Sequence, residues 1–442
     1  MHRKIVILLA GGLLAAPLTV QAEPFAYVTN AFAPSVSVID TANNQIAATI
    51  TFPPGSTPIA AAMTPDSRKV YVTSLDAFTT CGANDGVFVI DTASNTIEEG
   101  PVAVECEPTA IAITPDGQFA YVASQLSDTI SVIDTTTDNV STTITVPSVQ
   151  GIANLAISPD GQRLYATVLA ENSLVVIDTR TNTVLDPAIN VGFNPAGLAV
   201  SPDGSLVYAT DAGASGGVAV IDTAAGTVIA TIPVDNHPSA VAFAPDGVLA
   251  YVTQAGVNAG GDFTVSTIDT ASSAVVGDPI EVGNFPTSIA ITPDGTQAYV
   301  GNERSNTVSV IDTAGGSLSV TLSGMNSPRW VAASAVPAGH LVPDVVGESE
   351  FDATLALNAA GLSVGSVTEE ASSSVPSGDV ISQNPLADTY LGSGAAVDLV
   401  VSSGGNGNGG SGGGGALGFE LLALLGLLNA FKIRKSRARL RG

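Results

Sequence analysis

The sequence predicts an all-β propeller of seven four-stranded blades, followed by a small α+β module and one C-terminal hydrophobic helix. Three observations carry the propeller. The tripeptide Ile-Asp-Thr occurs seven times, at Ile39, Ile90, Ile133, Ile177, Ile221, Ile268 and Ile311. Successive copies lie 43 to 51 residues apart, a period that accommodates four short strands and their turns. The ends of the array are also complementary. It starts at a tyrosine strand, Phe25-Ala-Tyr-Val28, with no first strand before it, and stops at a first strand, Pro328-Arg-Trp-Val-Ala-Ala-Ser-Ala335, with no tyrosine strand after it. Pairing the two completes a blade and removes the edges an open array would expose.

Residues 1–22 read as a secretory leader, with Arg3 and Lys4 before an apolar stretch and a small-residue site, Val20-Gln-Ala22, that sets cleavage after Ala22. The propeller occupies 23–337. Each repeat opens with an apolar strand and a turn such as Thr114-Pro-Asp-Gly117, which fits a type I turn with Pro at i+1, Asp at i+2 and Gly at i+3. The second strand carries a tyrosine (Tyr27, Tyr71, Tyr121, Tyr165, Tyr208, Tyr251, Tyr299). The third strand is β-branched and apolar, as in Val36-Ser-Val-Ile39 and Ile130-Ser-Val-Ile133, which suits a strand covered on both faces. The Asp of Ile-Asp-Thr ends that strand, where its carboxylate can accept N–H groups of the next turn. A position repeated in every blade is expected to be scaffold rather than metal ligand or catalyst.

These motifs resemble the YVTN-repeat β-propeller family, related to surface-layer proteins: Tyr27-Val-Thr-Asn30, Thr64-Pro-Asp66 and Val36-Ser-Val-Ile-Asp-Thr41 carry the resemblance, which covers about residues 24–337. Ser67 stands in place of the turn glycine in the first Thr-Pro-Asp, and Gly301 in place of threonine in Tyr299-Val-Gly-Asn302. The resemblance implies the fold strongly and the function weakly, since members of that family differ in what they bind.

The two cysteines, Cys81 and Cys106, fall in one repeat, the first between second and third strands and the second between blades. Both connections emerge on one face of a propeller, so a disulfide is the expected state in an oxidising compartment. A reactive thiol pair or a metal-ligand pair is the alternative, without a nearby His or a C-x-x-C spacing to support it. The distance from tyrosine to Ile-Asp-Thr aspartate is 13 or 14 residues in five copies, but 20 from Tyr71 to Asp91 and 18 from Tyr251 to Asp269. Both insertions enlarge loops on the cysteine face, which marks it as the interaction surface. Candidate contact residues there are Asp85, Glu105 and Glu107, an acidic patch near the second copy, with Asn302, Arg304 and Arg329, which depart from the repeat. Trp330 closes the ring.

After the propeller, Leu341-Val-Pro-Asp-Val-Val-Gly347 precedes an Ala/Leu helix pattern over 351–360 that Gly361 ends in the C′ position. Strands are expected over 362–368, 380–385 and 395–402. Val342-Pro-Asp-Val-Val-Gly, Gly361-Leu-Ser-Val-Gly-Ser-Val and Ile381-Ser-Gln-Asn-Pro are similar to a PASTA domain, placed at 342–403. The resemblance implies an extracellular module linked in some proteins to peptidoglycan or muropeptide binding, and in others a spacer. A Gly-rich linker (404–415), an apolar helix (416–431, with Glu420 inside it) and a basic cytoplasmic tail (432–442) follow. This layout resembles the GlyGly-CTERM sorting signal, which implies a Gram-negative cell, cleavage by a rhomboid-family protease, and release or re-anchoring at the surface. A retained anchor is the alternative.

The chain has 40 acidic and 14 basic residues. Without the leader's Arg3 and Lys4, the tail's six basic residues and Glu420, the remainder holds 39 acidic against 6 basic residues, a formal charge of −33. Such a surface repels nucleic acid and anionic membranes and leaves cationic partners or divalent ions open. Catalytic signals are sparse. His2 is in the leader, His237 precedes Pro238 and His340 lies in the hinge after the propeller. No Ser-His-Asp set, H-E-x-x-H, phosphate loop or haem motif appears. One Trp and 5% aromatic residues argue against a carbohydrate site of stacked rings. The sequence thus reads as an exported, monomeric, non-catalytic binding or scaffold protein of the cell surface or medium, needing no cofactor. The alternatives are a lactonase-type hydrolase with a metal in the central channel, or a self-assembling surface layer.

Overall fold

The structure, a computed structural model, describes residues 25–78, 81–147, 151–213, 216–234, 237–256, 263–333, 340–384, 390–391 and 396–404. The leader with its cleavage site, the Gly-rich linker beyond 404, the apolar helix and the basic tail lie outside the described residues. Among the described residues no helix is long and apolar enough to cross a membrane. The chain divides into two compact units, one containing the whole propeller and the other most of the C-terminal module.

The propeller consists of seven four-stranded antiparallel sheets. Numbering blades by their Ile-Asp-Thr copy, blade 1 is built from both ends of the array: Pro328–Ala333 pairs with Phe25–Asn30, which pairs in turn with Ser35–Asp40 and Gln45–Thr51. Tyr27 is flanked by Ala332 on one side and Val38 on the other. The closure expected from the incomplete ends is therefore present. The inner strands are Pro328–Ala333, Ser56–Met63, Pro108–Ile113, Ile152–Ile157, Leu198–Val200, Pro238–Phe243 and Pro286–Ile291, and each touches the inner strand of the blade before and after it around the full circle. They wall the central channel.

The second and third strands are apolar on both faces because each face meets a neighbouring blade. Val36, Val38 and Ile50 of blade 1 pack with Val70, Val72 and Phe88 of blade 2, and the Phe52 and Phe88 rings meet edge to face at 4.9 Å. Ile39, on the opposite face of the same strand, packs with Val308 and Val310 of blade 7. All seven Ile-Asp-Thr isoleucines are fully buried, each contributing about 1.5–3 kcal/mol of burial. Trp330 is partly buried against the clusters that join blades 1, 2 and 3, so its role is closure packing.

In the C-terminal module, the helix Glu350–Ala359 starts with a reciprocal cap: the Asp352 amide donates to Ser349 Oγ and the Ser349 hydroxyl donates to the Asp352 carboxylate. It ends where expected. Gly361 takes a φ of +71°, the Leu362 amide donates to the Leu357 carbonyl, and the Gly361 amide donates to Asn358, which is a Schellman closure needing a residue without a Cβ penalty. Three strands, Ser363–Glu370, Ala396–Ser402 and Val380–Asn384, form one sheet in that spatial order.

Candidate functional site

The repeated residues are consumed in holding the turn face together. In every blade the Ile-Asp-Thr aspartate accepts at least one backbone amide of the following turn, from Asp40 to Ala42 N at 2.9 Å through Asp312 to Ala314 N at 3.1 Å. The threonine hydroxyl reaches back to the Pro-Asp-Gly turn of its own blade, as Thr179 does to the Gly161 carbonyl at 2.5 Å and Thr223 to Gly204 at 2.8 Å. In that turn the Gly117 amide donates to Thr114 O at 2.8 Å, as a type I turn requires. Gly117 takes a φ of +70°, and a Cβ there would lie 3.3 Å from Pro65 of the preceding blade, so proline and glycine seat against each other from blade to blade.

The tyrosines do a second job that their spacing did not reveal. Tyr27, Tyr71, Tyr121 and Tyr299 donate across to Asn95, Asp138, Asn182 and Asn44. Each acceptor stands four residues after the aspartate of the next blade's Ile-Asp-Thr, in the left-handed region. Lys69 pairs with the same Asp138 at 2.6 Å. Near the channel a further set joins neighbouring blades: from inner strands, Thr109 donates to Ile152 O, Asn154 to Ala196 O, Ser239 to Pro286 O and Thr287 to Arg329 O, and from the second strand of blade 1 Thr29 donates to Ile59 O, at 2.6–3.1 Å. These polar groups are interblade ties. Two clefts on the turn face, each about 430 Å³, repeat one another between blades 3 and 4 and blades 4 and 5, and so follow from blade geometry.

The opposite face, formed by the loops between second and third strands and the connections between blades, is where the repeat breaks. Cys81 and Cys106 are joined there by a disulfide. Asp85 sits beside it and accepts the Asp76 amide at 2.5 Å and the Glu107 amide at 3.4 Å, so its carboxylate organises the long loop rather than standing open. The side chain of Glu105 is exposed, while its carbonyl takes the Ser124 hydroxyl at 3.0 Å. Glu107, held at a φ of +56°, lines a cleft.

Asn302 corrects the sequence reading: it is fully buried and donates to Thr307 and Ser309 Oγ, as Asn30 does to Ser35 and Ser37 in blade 1. Two hydroxyls in the paired strand hold it, so it cannot contact a ligand. Arg304 is exposed and lies over the Phe285 ring, 4.1 Å from its centroid; Arg329 is exposed at the start of blade 1's inner strand. His237 is a loop residue at a φ of +59° whose carbonyl accepts the Ala255 amide. The centre of the sixth-copy insertion, 257–262, lies outside the described residues.

The cleft has a volume of about 570 Å³ and is formed by blades 3 to 5: Glu107 and Gln125 at one end, Leu126 and Leu169 along its wall, Phe193 and Asn194 at the other. Of the six candidate contact residues only Glu107 belongs to it. Its apolar members are not among the candidates that the sequence pointed to. The exposed phenylalanines of the propeller's described residues, Phe32, Phe78 and Phe193, all stand on this face. The available signal was local: each interrupts a stretch of small and polar residues outside the repeated strands. Among the described residues no group of three or more His, Cys, Asp or Glu side chains is placed to hold a metal ion.

Comparison with known proteins agrees with this architecture. The family model described as "Lactonase, 7-bladed beta-propeller" matches residues 21–184 and 61–228, and the PASTA domain model matches 341–403. The chain is therefore a seven-bladed β-propeller, similar over its first blades to that lactonase model, and it carries one PASTA domain. Among solved structures it is similar to Kuenenia stuttgartiensis hydrazine synthase (24% identity, 65% of this chain and 91% of that chain, TM-score 0.56). It is also similar to a functionally unknown protein from Desulfotomaculum acetoxidans DSM 771 (19%, 70% and 99%, TM-score 0.58). At these identities the likeness is one of fold. A probable serine/threonine-protein kinase of Clostridium acetobutylicum is 41% identical over 63 residues, 14% of this chain. The match spans only 10% of that kinase's length.

Proposed function

We propose that this protein is an exported, non-catalytic binding or scaffold protein of the cell surface or medium, which engages a partner on the loop face of its propeller and contacts the cell wall through its PASTA domain. One observation carries the reading: the exposed phenylalanines of the propeller gather on the face where the repeat breaks, while the polar residues of the turn face are occupied in ties within and between blades. Exposed apolar side chains grouped on one surface mark an interaction site, and the loop-bearing face of a repeat scaffold is where such sites arise. The disulfide and the PASTA match support an extracytoplasmic setting, and the PASTA match supports peptidoglycan as the wall component. Co-sedimentation with purified peptidoglycan tests that half: retention of the mature chain is expected, and a chain that stays in the supernatant removes the wall contact. A Phe32→Ser/Phe78→Ser/Phe193→Ser variant tests the other half. It is expected to fold as the parent does and to lose cross-links to envelope proteins; an unchanged cross-linking pattern contradicts the loop-face reading.

The lactonase match favours a second reading, a hydrolase with a divalent ion in the channel. Its test is elemental analysis of the mature protein together with lactone turnover: one tightly held ion per chain with turnover would replace the binding reading.

A further inference from the structure

The cleft over blades 3 to 5 combines three properties. Its apolar residues are open to solvent, with Leu126 54% and Phe193 63% exposed. Phe193 is also held still: its amide donates to Asp211 at 2.9 Å, the neighbouring Asn194 amide to Asn172 Oδ1 at 3.0 Å, and Val191 N to the Asn172 carbonyl at 3.0 Å. An exposed ring on a pinned backbone loses little freedom when covered, which is the character of an interface anchor. The third property is charge. No Lys or Arg occurs between Lys69 and Arg163, or between Arg180 and Arg304. Arg163 and Arg180 both belong to the turn face, Arg163 paired with Asp178 at 3.0 Å and Arg180 beside the Asp160 turn. The loops of blades 2 to 6 therefore offer carboxylates with no Lys or Arg among them; Glu107 lines the cleft, and Glu171 stands in the chain between its lining residues Ala170 and Asn172.

We propose that this cleft docks a cationic polypeptide segment carrying apolar side chains: an apolar group seats between Leu126, Leu169 and Phe193, and an adjacent Lys or Arg meets Glu107 and Glu171. The inference rests on the loop-face reading above and adds the chemistry of the partner. A second copy of this chain is disfavoured as occupant because its own face is acidic, and an anionic bilayer is repelled for the same reason. A cationic segment gains both by steering and by desolvated contact.

The test is fluorescence anisotropy on the full mature chain at physiological salt, with a labelled peptide of alternating Lys and Leu. Peptides of Glu and Leu, Ser and Leu, and Lys and Ser serve as comparisons. The Lys/Leu peptide is expected to bind and to weaken by about tenfold or more on Leu126→Ser/Phe193→Ser and on Glu107→Gln/Glu171→Gln. Ile229→Ser, an equally exposed apolar side chain on the outer strand Thr227–Ile232 of blade 5, is expected to leave it unchanged. Equal binding of Lys/Leu and Ser/Leu peptides, both lost on Leu126→Ser/Phe193→Ser, overturns the cationic partner while sparing the loop face. Lys/Leu binding indifferent to both double variants overturns the cleft itself and counts against the loop face. No binding of the Lys/Leu peptide to the parent, or Phe193-dependent binding of the parent to phosphatidylglycerol vesicles in its place, overturns the proposal as well.

Discussion

At the scale of residues, carboxylates of the repeat are tuned by the bonds that build the turns, and its phenols by burial between blades. The Ser158 hydroxyl first, then the Gln162 amide, holds Asp160 below the usual carboxylate range. Asp203 is lowered chiefly by the Ser201 hydroxyl, and Asp269 by the Ser272 hydroxyl and amide. A carboxylate lowered in the folded state contributes stability above its unfolded value, about 3.9, and loses it as pH falls through the folded value. The melting temperature is thus expected to drop as pH falls below about 4. An Asp160→Asn/Asp203→Asn variant should differ from the parent at pH 6 and converge with it at low pH, as calorimetry across that range can check. The phenols run the opposite way. Burial pushes Tyr121 up to about 12 and raises Tyr27, Tyr71 and Tyr299 further. Their contribution is intact below about pH 10 and lost as pH rises beyond it. Phenolate absorbance of the array tyrosines should therefore appear together with loss of the β-sheet circular dichroism signal, rather than near pH 10 in a folded protein. These roles were partly legible in sequence. The aspartate's position at a strand end foretold its cap, whereas the tyrosine's acceptor lies on another blade, at a distance no spacing encodes.

At the scale of elements, each blade is joined to the next by apolar packing and by the tyrosine tie, and the two differ in magnitude. Ile177→Ala opens a fully buried site and is expected to cost about 2–5 kcal/mol. Tyr71→Phe removes one hydroxyl while Lys69 remains on Asp138, at a cost of about 1 kcal/mol. Urea unfolding of the two variants should separate them in that order. A larger loss in the tyrosine variant would mean that the tie, not the core, sets the blade interface. Turn chemistry made the elements readable: Thr114-Pro-Asp-Gly117 and Gly361 act through local backbone geometry, which sequence specifies directly. Asn302 was misread because Gly301 beside it breaks the motif; yet Asn30 of the parent motif occupies the same buried position between two hydroxyls.

At the scale of the whole molecule, the ring depends on a pairing between residues about 300 positions apart, as in Thr29 with Trp330. Ending the chain before Pro328 would leave blade 1 with three strands and an open inner edge. Such a truncation is expected to aggregate or fold incompletely, whereas a chain ending at 340 should show the cooperative melt of a closed propeller, as light scattering and calorimetry would record. The ring was legible because seven copies and two incomplete ends leave one way to close. The cleft was not, because Leu126, Leu169 and Phe193 come from different blades and only the assembled ring sets them side by side. The central claim is that the repeat builds a scaffold and that recognition occurs on the loop face. Hydrogen–deuterium exchange of the mature chain, with and without the Lys/Leu peptide, tests it most directly. Protection confined to 105–107, 125–128, 169–172 and 191–194 is the predicted result; protection centred on the Pro-Asp-Gly and Ile-Asp-Thr turns would contradict it.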